Sequence, residues 1–204
     1  MKTPIKYIVA IITLTVAFTW SANATFVENT DFKNELKLFN DQAWKNVTSF
    51  TATVGGHTGP PVLVQTDGHV DSGAGFANIT PTNNEPLISL TFTPGDNTLF
   101  SDFSFRGQLT QAGTVSLAVF DQFGTEFDFT TMSEGKDDNI PRFGVISNDG
   151  ETIDHIIVTA DSFKEFKQIE FSFGDGVAVP DGGATVMLLG AALTGLGLLR
   201  RFVS

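Results

Sequence analysis

The sequence predicts an all-β fold, an antiparallel sandwich, and three observations carry that expectation. Between Thr25 and Ala178 apolar residues alternate with polar ones at period two, the signature of half-buried strands. Clusters of Gly, Pro, Asn and Asp interrupt the alternation at spacings of about 8–15 residues, and no strand–helix alternation of the parallel-sheet kind occurs. Of the 20 phenylalanines only Phe18 and Phe202 lie outside this stretch. Each fully buried phenylalanine stabilises by about 1.5–3 kcal/mol, so the segment can build a sizeable core.

The elements follow in order. Asp31 to Phe39 reads as one short N-terminal helix, because Phe32, Leu36 and Phe39 fall at i, i+4 and i+7 and Thr30 is placed to cap it. Gly55 to Asp71 reads as a long loop with one short strand at Val62 to Gln65. Ile88, Leu90 and Phe92 alternate with Ser89 and Thr91 before a turn at Pro94-Gly95-Asp96-Asn97. Phe103, Phe105, Gly107 and Leu109 share the next inward face, with Ser104, Arg106 and Gln108 opposite. Gln111-Ala112-Gly113 turns into Val115, Leu117 and Val119, and the segments 88–92, 103–109 and 115–119 are expected as adjacent strands. Asp121-Gln122-Phe123-Gly124 predicts a hairpin into Phe127 and Phe129. A polar loop from Met132 to Arg142 leads to a strand over 143–146, and Ser147-Asn148-Asp149-Gly150 turns into Ile153 to Thr159. The last strand is expected over 167–173, closing a domain of residues 25–176.

Both ends carry sorting information. Lys2 and Lys6 precede the uncharged run Ile8 to Trp20, and Ala22 and Ala24 occupy the −3 and −1 positions of a cut before Thr25. Residues 1–24 therefore read as a secretory signal peptide for signal peptidase; the apolar run is too short to span about 30 Å of hydrocarbon. The chain has no cysteine, which excludes disulfide staples, Cys-ligated zinc, iron–sulfur clusters and thiol catalysis. The exported middle holds eight basic and 22 acidic residues, a net charge of −14, which argues against nucleic acid as a partner.

At the other end, Val179-Pro180-Asp181-Gly182-Gly183 precedes the charge-free run Ala184 to Leu199, and Arg200-Arg201 closes it. Sixteen residues make about 24 Å of helix, and the two glycines bring the run near the lower limit of a membrane span. A transmembrane helix is expected at 184–199, with the arginines favouring a cytoplasmic C-terminus. Pro180 lacks an N–H and Gly182-Gly183 keep the backbone pliable, as a protease-accessible segment outside the bilayer needs.

This tripartite tail, residues 179–204, resembles the PEP-CTERM sorting signal. Asp181 and Gly182 stand where the usual Val-Pro-Glu-Pro motif has Glu and Pro, which resembles the Val-Pro-Asp variant. The resemblance implies an exported protein of a Gram-negative bacterium. Its tail is held transiently in the inner membrane, processed by an exosortase, and destined for the cell surface or an exopolysaccharide matrix. The closing segment, Asp149 to Asp154 through Lys167 to Phe171, resembles the end of jelly-roll-like domains found ahead of such signals. The implied fold is thus a jelly-roll-like β-sandwich flanked by a signal peptide and a sorting helix.

Chemistry-bearing residues are sparse. His57, Asp67, His69 and Asp71 lie within 15 residues and are of metal-ligating type, although a polar loop with two histidines is commoner than a metal site. Asp67, Asp71, Asp96, Asp121, Asp137, Asp138 and Asp149 sit in or beside expected turns, where a structural calcium can find oxygen ligands; no other cofactor is implied. His155 falls on an expected strand and reads as a half-buried strand histidine. No nucleophile elbow or zinc-protease helix is present, and a non-catalytic role is expected. The alternative is a carbohydrate-binding module, calcium-dependent or not; against its stacking type, the exported part has only Trp44 and no tyrosine.

Overall fold

The structure, a computed structural model, describes residues 25–32, 35–95, 98–133, 139–148 and 150–173. The expected signal peptide and sorting helix lie outside the described residues. Among those residues the chain is all-β, with strands β1 (Phe26–Glu28), β2 (Leu36–Asn40), β3 (Trp44–Val54), β4 (Pro61–Ser72), β5 (Gly75–Phe76) and β6 (Asn78–Pro81). Then follow β7 (Leu87–Pro94), β8 (Phe100–Leu109), β9 (Gly113–Asp121), β10 (Glu126–Ser133), β11 (Asn139–Ser147) and β12 (Ile153–Phe173).

Strand β12 organises the molecule. Residues 153–160 pair with β9 and 156–163 with β7, while 163–173 pair with β8; β6 and β2 join through Phe166–Lys167 and Glu170–Phe171. One layer thus runs β10-β9-β12-β7-β4-β3 and the other β1-β11-β8-β12, all antiparallel. Because β2 bridges β3 and β12, the network closes on itself in the manner of a barrel. The two segments read separately as 153–159 and 167–173 are this one strand of 21 residues. Segments 88–92, 103–109 and 115–119 are not adjacent; each flanks β12 instead.

The largest core side chains are phenylalanines. Phe92, Phe100, Phe103, Phe105, Phe143, Phe163, Phe166 and Phe171 are fully buried. Phe166 stacks on Phe105 at 4.4 Å between centroids and on Phe92 at 5.6 Å, tying the two layers together. The inward faces Phe103-Phe105-Leu109 and Val115-Leu117-Val119 are as the alternation predicts. Gly144 is required by packing: a Cβ there would lie 2.1 Å from the Phe103 carbonyl oxygen.

The ends of the expected loop over Met132 to Arg142 belong to β10 and β11, and three further local expectations fail. The helix over Asp31 to Phe39 is absent: Leu36–Asn40 is strand β2, with Leu38 and Asn40 buried and Leu36 exposed. A nine-residue helix gains little alone, whereas β2 finds backbone partners on β3, β5 and β12. The long loop at Gly55 to Asp71 is mostly β4, held as a strand by pairing with β3, β6 and β7. On β7, Leu87 and Leu90 point inward while Ile88 is 42% exposed. The Ile88 and Ser89 N–H groups both donate to Asp67 Oδ1, so the strand changes face between them.

Candidate functional site: a polar groove across four strands

On β8, inward Phe103, Phe105 and Gly107 leave Ser104 and Arg106 on the outer face. Register sets Ser104 opposite Glu170 of β12 and Glu170 opposite Lys37 of β2. Arg142 joins from β11, where a register shift between Ile140 and Phe143 lifts it off the regular ladder. Together Glu35, Lys37, Arg106, Arg142, Gln168 and Glu170 line an open groove of about 280 Å³.

Arg142 is its hub. Its guanidinium pairs with both Glu35 and Glu170, and its Nε donates to Ser104 Oγ at 3.3 Å. Ser104 Oγ in turn donates to Glu35 Oε1 at 2.6 Å. The guanidinium carbon lies 4.9 Å from the centre of the Phe32 ring. The Glu35 side chain is only 4% exposed, so its ionised form depends on this partner. Gln168, at the bulge between Lys167 and Glu170, holds a left-handed φ of +49°. Such a backbone is strained for a residue with a Cβ, by about 1–2 kcal/mol. Neither Lys37 nor Arg106 has a carboxylate partner among the described residues.

An aromatic strip continues from the groove. Lys37 Nζ sits 4.9 Å above the ring of Phe76, which is 65% exposed on the edge strand β5. Phe76 packs edge-on against Phe39 at 6.1 Å, and Phe39 against His57 at 4.5 Å.

Beside the groove, Glu165 receives hydrogen bonds from Asn78 at 2.8 Å and Lys167 at 2.5 Å. Burial raises its pKa, but these bonds and the Lys167 and Lys164 charges outweigh burial and leave it below the ordinary value. A second groove of about 340 Å³, lined by Pro81, Asn84, Glu85, Pro86, Thr110, Ser162 and Phe163, offers a single charged group.

The residues singled out in the sequence are dispersed. His57 pairs with Asp41 at 2.5 Å, His69 with Glu85 at 3.0 Å, and Asp71 with Lys45 at 2.6 Å and the Asn46 N–H at 2.9 Å. The Lys45 hydrogen bond foremost, and the His69 one in the other case, hold Asp71 and Glu85 below the usual carboxylate range. Among the described residues no three His, Asp or Glu come together as metal ligands. Asp121 accepts from the Phe123 and Thr125 N–H groups and closes the expected hairpin; Asp96, Asp137, Asp138 and Asp149 lie outside the described residues. Trp44 is no exposed sugar platform: it stacks on Phe50 at 6.1 Å against the core. His155 is half-buried, stacked on Phe120 at 4.1 Å. Ala22, Ala24, Val179 to Gly183, Arg200 and Arg201 lie outside the described residues; among the described residues no helix is long and apolar enough to cross a membrane.

The groove residues escaped the sequence reading. Glu35 sat in the expected helix, Arg142 in the expected loop, and Glu170 in a strand with no known neighbours. The outward period-two positions Ser104 and Arg106 were the one local signal.

Fold and groove define an all-β sandwich with a polar, cation-bearing outer face. Residues 178–201 match the VPDSG-CTERM motif model, a variant of the PEP-CTERM-like exosortase sorting signal, with Gly182 where the motif's name has Ser. That signal marks an exported protein handled by exosortase-type machinery. No curated protein matches the chain. A solved structure of a mutant of CBM29-2, a family 29 carbohydrate-binding module, is similar at 12% identity and a TM-score of 0.31, covering 74% of this chain and 93% of that one.

Proposed function

We propose that this chain is a cell-surface or extracellular-matrix protein of a Gram-negative bacterium, with a non-catalytic, jelly-roll-like β-sandwich as its exported part. Residues 1–24 direct export and are removed after Ala24. The run 184–199 then holds the chain in the inner membrane, Arg200-Arg201 fix its direction, and an exosortase acts at Val179-Pro180-Asp181-Gly182-Gly183. The observation that carries this reading is the motif match over 178–201. Replacing Pro180 and Asp181 by alanine should leave insertion intact, since neither belongs to the apolar run, yet trap a full-length form in the membrane. Fractionation and mass analysis of the C-terminus, in a host carrying the exosortase, tests this. A wild-type protein that keeps Arg200-Arg201 and stays membrane-bound would make the tail a simple anchor.

A second reading, glycan binding to an exopolysaccharide, is favoured by the groove. It offers hydrogen-bonding groups of both kinds beside an exposed aromatic ring, the combination that sugar rings use. A glycan array run with and without calcium tests it.

A further inference from the structure

We propose that the groove seats a carboxylate-bearing sugar unit, so that the polysaccharide recognised is an acidic one. This rests on the glycan-binding reading and specifies its ligand. The exported part has eight basic residues against 22 acidic ones. Six of the eight are described, and three of those six, Lys37, Arg106 and Arg142, line this one groove. Elsewhere Lys45 is tied to Asp71 and Lys167 to Glu165. Within the groove both carboxylates, Glu35 and Glu170, contact Arg142, and the three cations outnumber the two carboxylates by one. Lys37, opposite Glu170 on β2, and Arg106, opposite Lys167 on β8, have no carboxylate partner among the described residues. Asp102, the next outward carboxylate along β8, accepts from Ser101 and Ser172 and does not line the groove.

An acidic domain whose unpaired cations, among the described residues, lie in one recess has made a local site for an anion. At physiological salt the screening length is about 8 Å, so a bound carboxylate feels these cations more than the remote acidic surface. Gln168 adds a side-chain amide, held at the wall by a strained backbone of the kind found at binding sites. Phe76 supplies an exposed aromatic ring beside the Lys37 ammonium. A carboxylate held by Lys37 and Arg106 would leave sugar hydroxyls to Gln168 and Glu170.

The experiment is calorimetric titration of the full chain, in a nonionic detergent, with polygalacturonate, alginate and the carboxyl-reduced form of each, and with a neutral glucan and a neutral mannan. The expected result is binding to at least one polyuronate and about tenfold or weaker binding to its carboxyl-reduced form. Lys37→Ala and Arg106→Ala should each weaken binding about three- to tenfold, the range of a single ion pair in a partly shielded site. Both side chains are on the surface, so an unchanged melting temperature shows that the fold is kept. Lys45→Ala, a lysine outside the groove, should change nothing. Equal binding to reduced and unreduced polymers, or to neutral polymers only, overturns the acidic-sugar assignment and keeps the glycan-binding reading. Binding that the groove variants leave untouched overturns the site, and binding to none of the polymers overturns both readings.

Discussion

Arg142 of β11 reaches across β8 to pair with Glu170 of β12, passing over Ser104, and takes Glu35 in the same grip. One guanidinium thereby joins the chain ahead of β2 to two strands that are not each other's neighbours in that order. Its contacts are hydrogen bonds to carboxylates and a hydroxyl within a partly dry recess, where each bond is stronger and each missing partner costlier than in water.

Arg142→Ala should therefore destabilise the fold by about 3–5 kcal/mol, because Glu35 and Glu170 would stay buried without a counter-charge. Adding Glu35→Gln and Glu170→Gln to Arg142→Met should recover much of that loss. Urea denaturation of the single and combined variants measures both. A single variant as stable as wild type would mean that water replaces the guanidinium.

Gln168 separates stability from binding. Glycine adopts its φ of +49° without strain, so Gln168→Gly should be neutral or stabilising by about 0.5–1 kcal/mol, despite the freer unfolded chain. The same change removes the side-chain amide from the groove wall and should weaken glycan binding. Thermal melting and titration on one preparation read the two effects. A clear fall in melting temperature would mean that the side chain packs structurally.

Acid should unfold the protein partly through Glu165. Its pKa lies below the ordinary 4.5 in the folded chain, so folding favours the ionised form. The resulting stabilisation is present above the unfolded value and is lost as pH falls through the folded one. Asp71 and Glu85 shift in the same direction and add to the slope. Glu165→Gln should be less stable than wild type at pH 7, with the gap closing below about pH 4. Chemical denaturation from pH 7 to pH 3 tests this, and a gap that persisted in acid would assign the loss to packing.

The sequence by itself determined what is written locally along the chain. The C-terminal motif, its apolar run and its arginines are contiguous, so they are legible without any fold, and the family match falls on the same residues. Period two is also local, which is why the all-β class, the Asp121–Gly124 hairpin and the inward faces of β8 and β9 could be read in advance. Only the tertiary structure decided which strands meet. Backbone partners turned the apolar spacing of Phe32, Leu36 and Phe39 from a helical face into β2. Irregularities at Ile88–Ser89 and between Ile153 and His155 exchanged inward and outward positions, since one shifted residue flips every side chain beyond it. The groove lay beyond any local reading, because Lys37, Arg106, Arg142 and Gln168 are brought together by register across β2, β8, β11 and β12. A charge reveals itself in sequence, but its partner is chosen by the sheet.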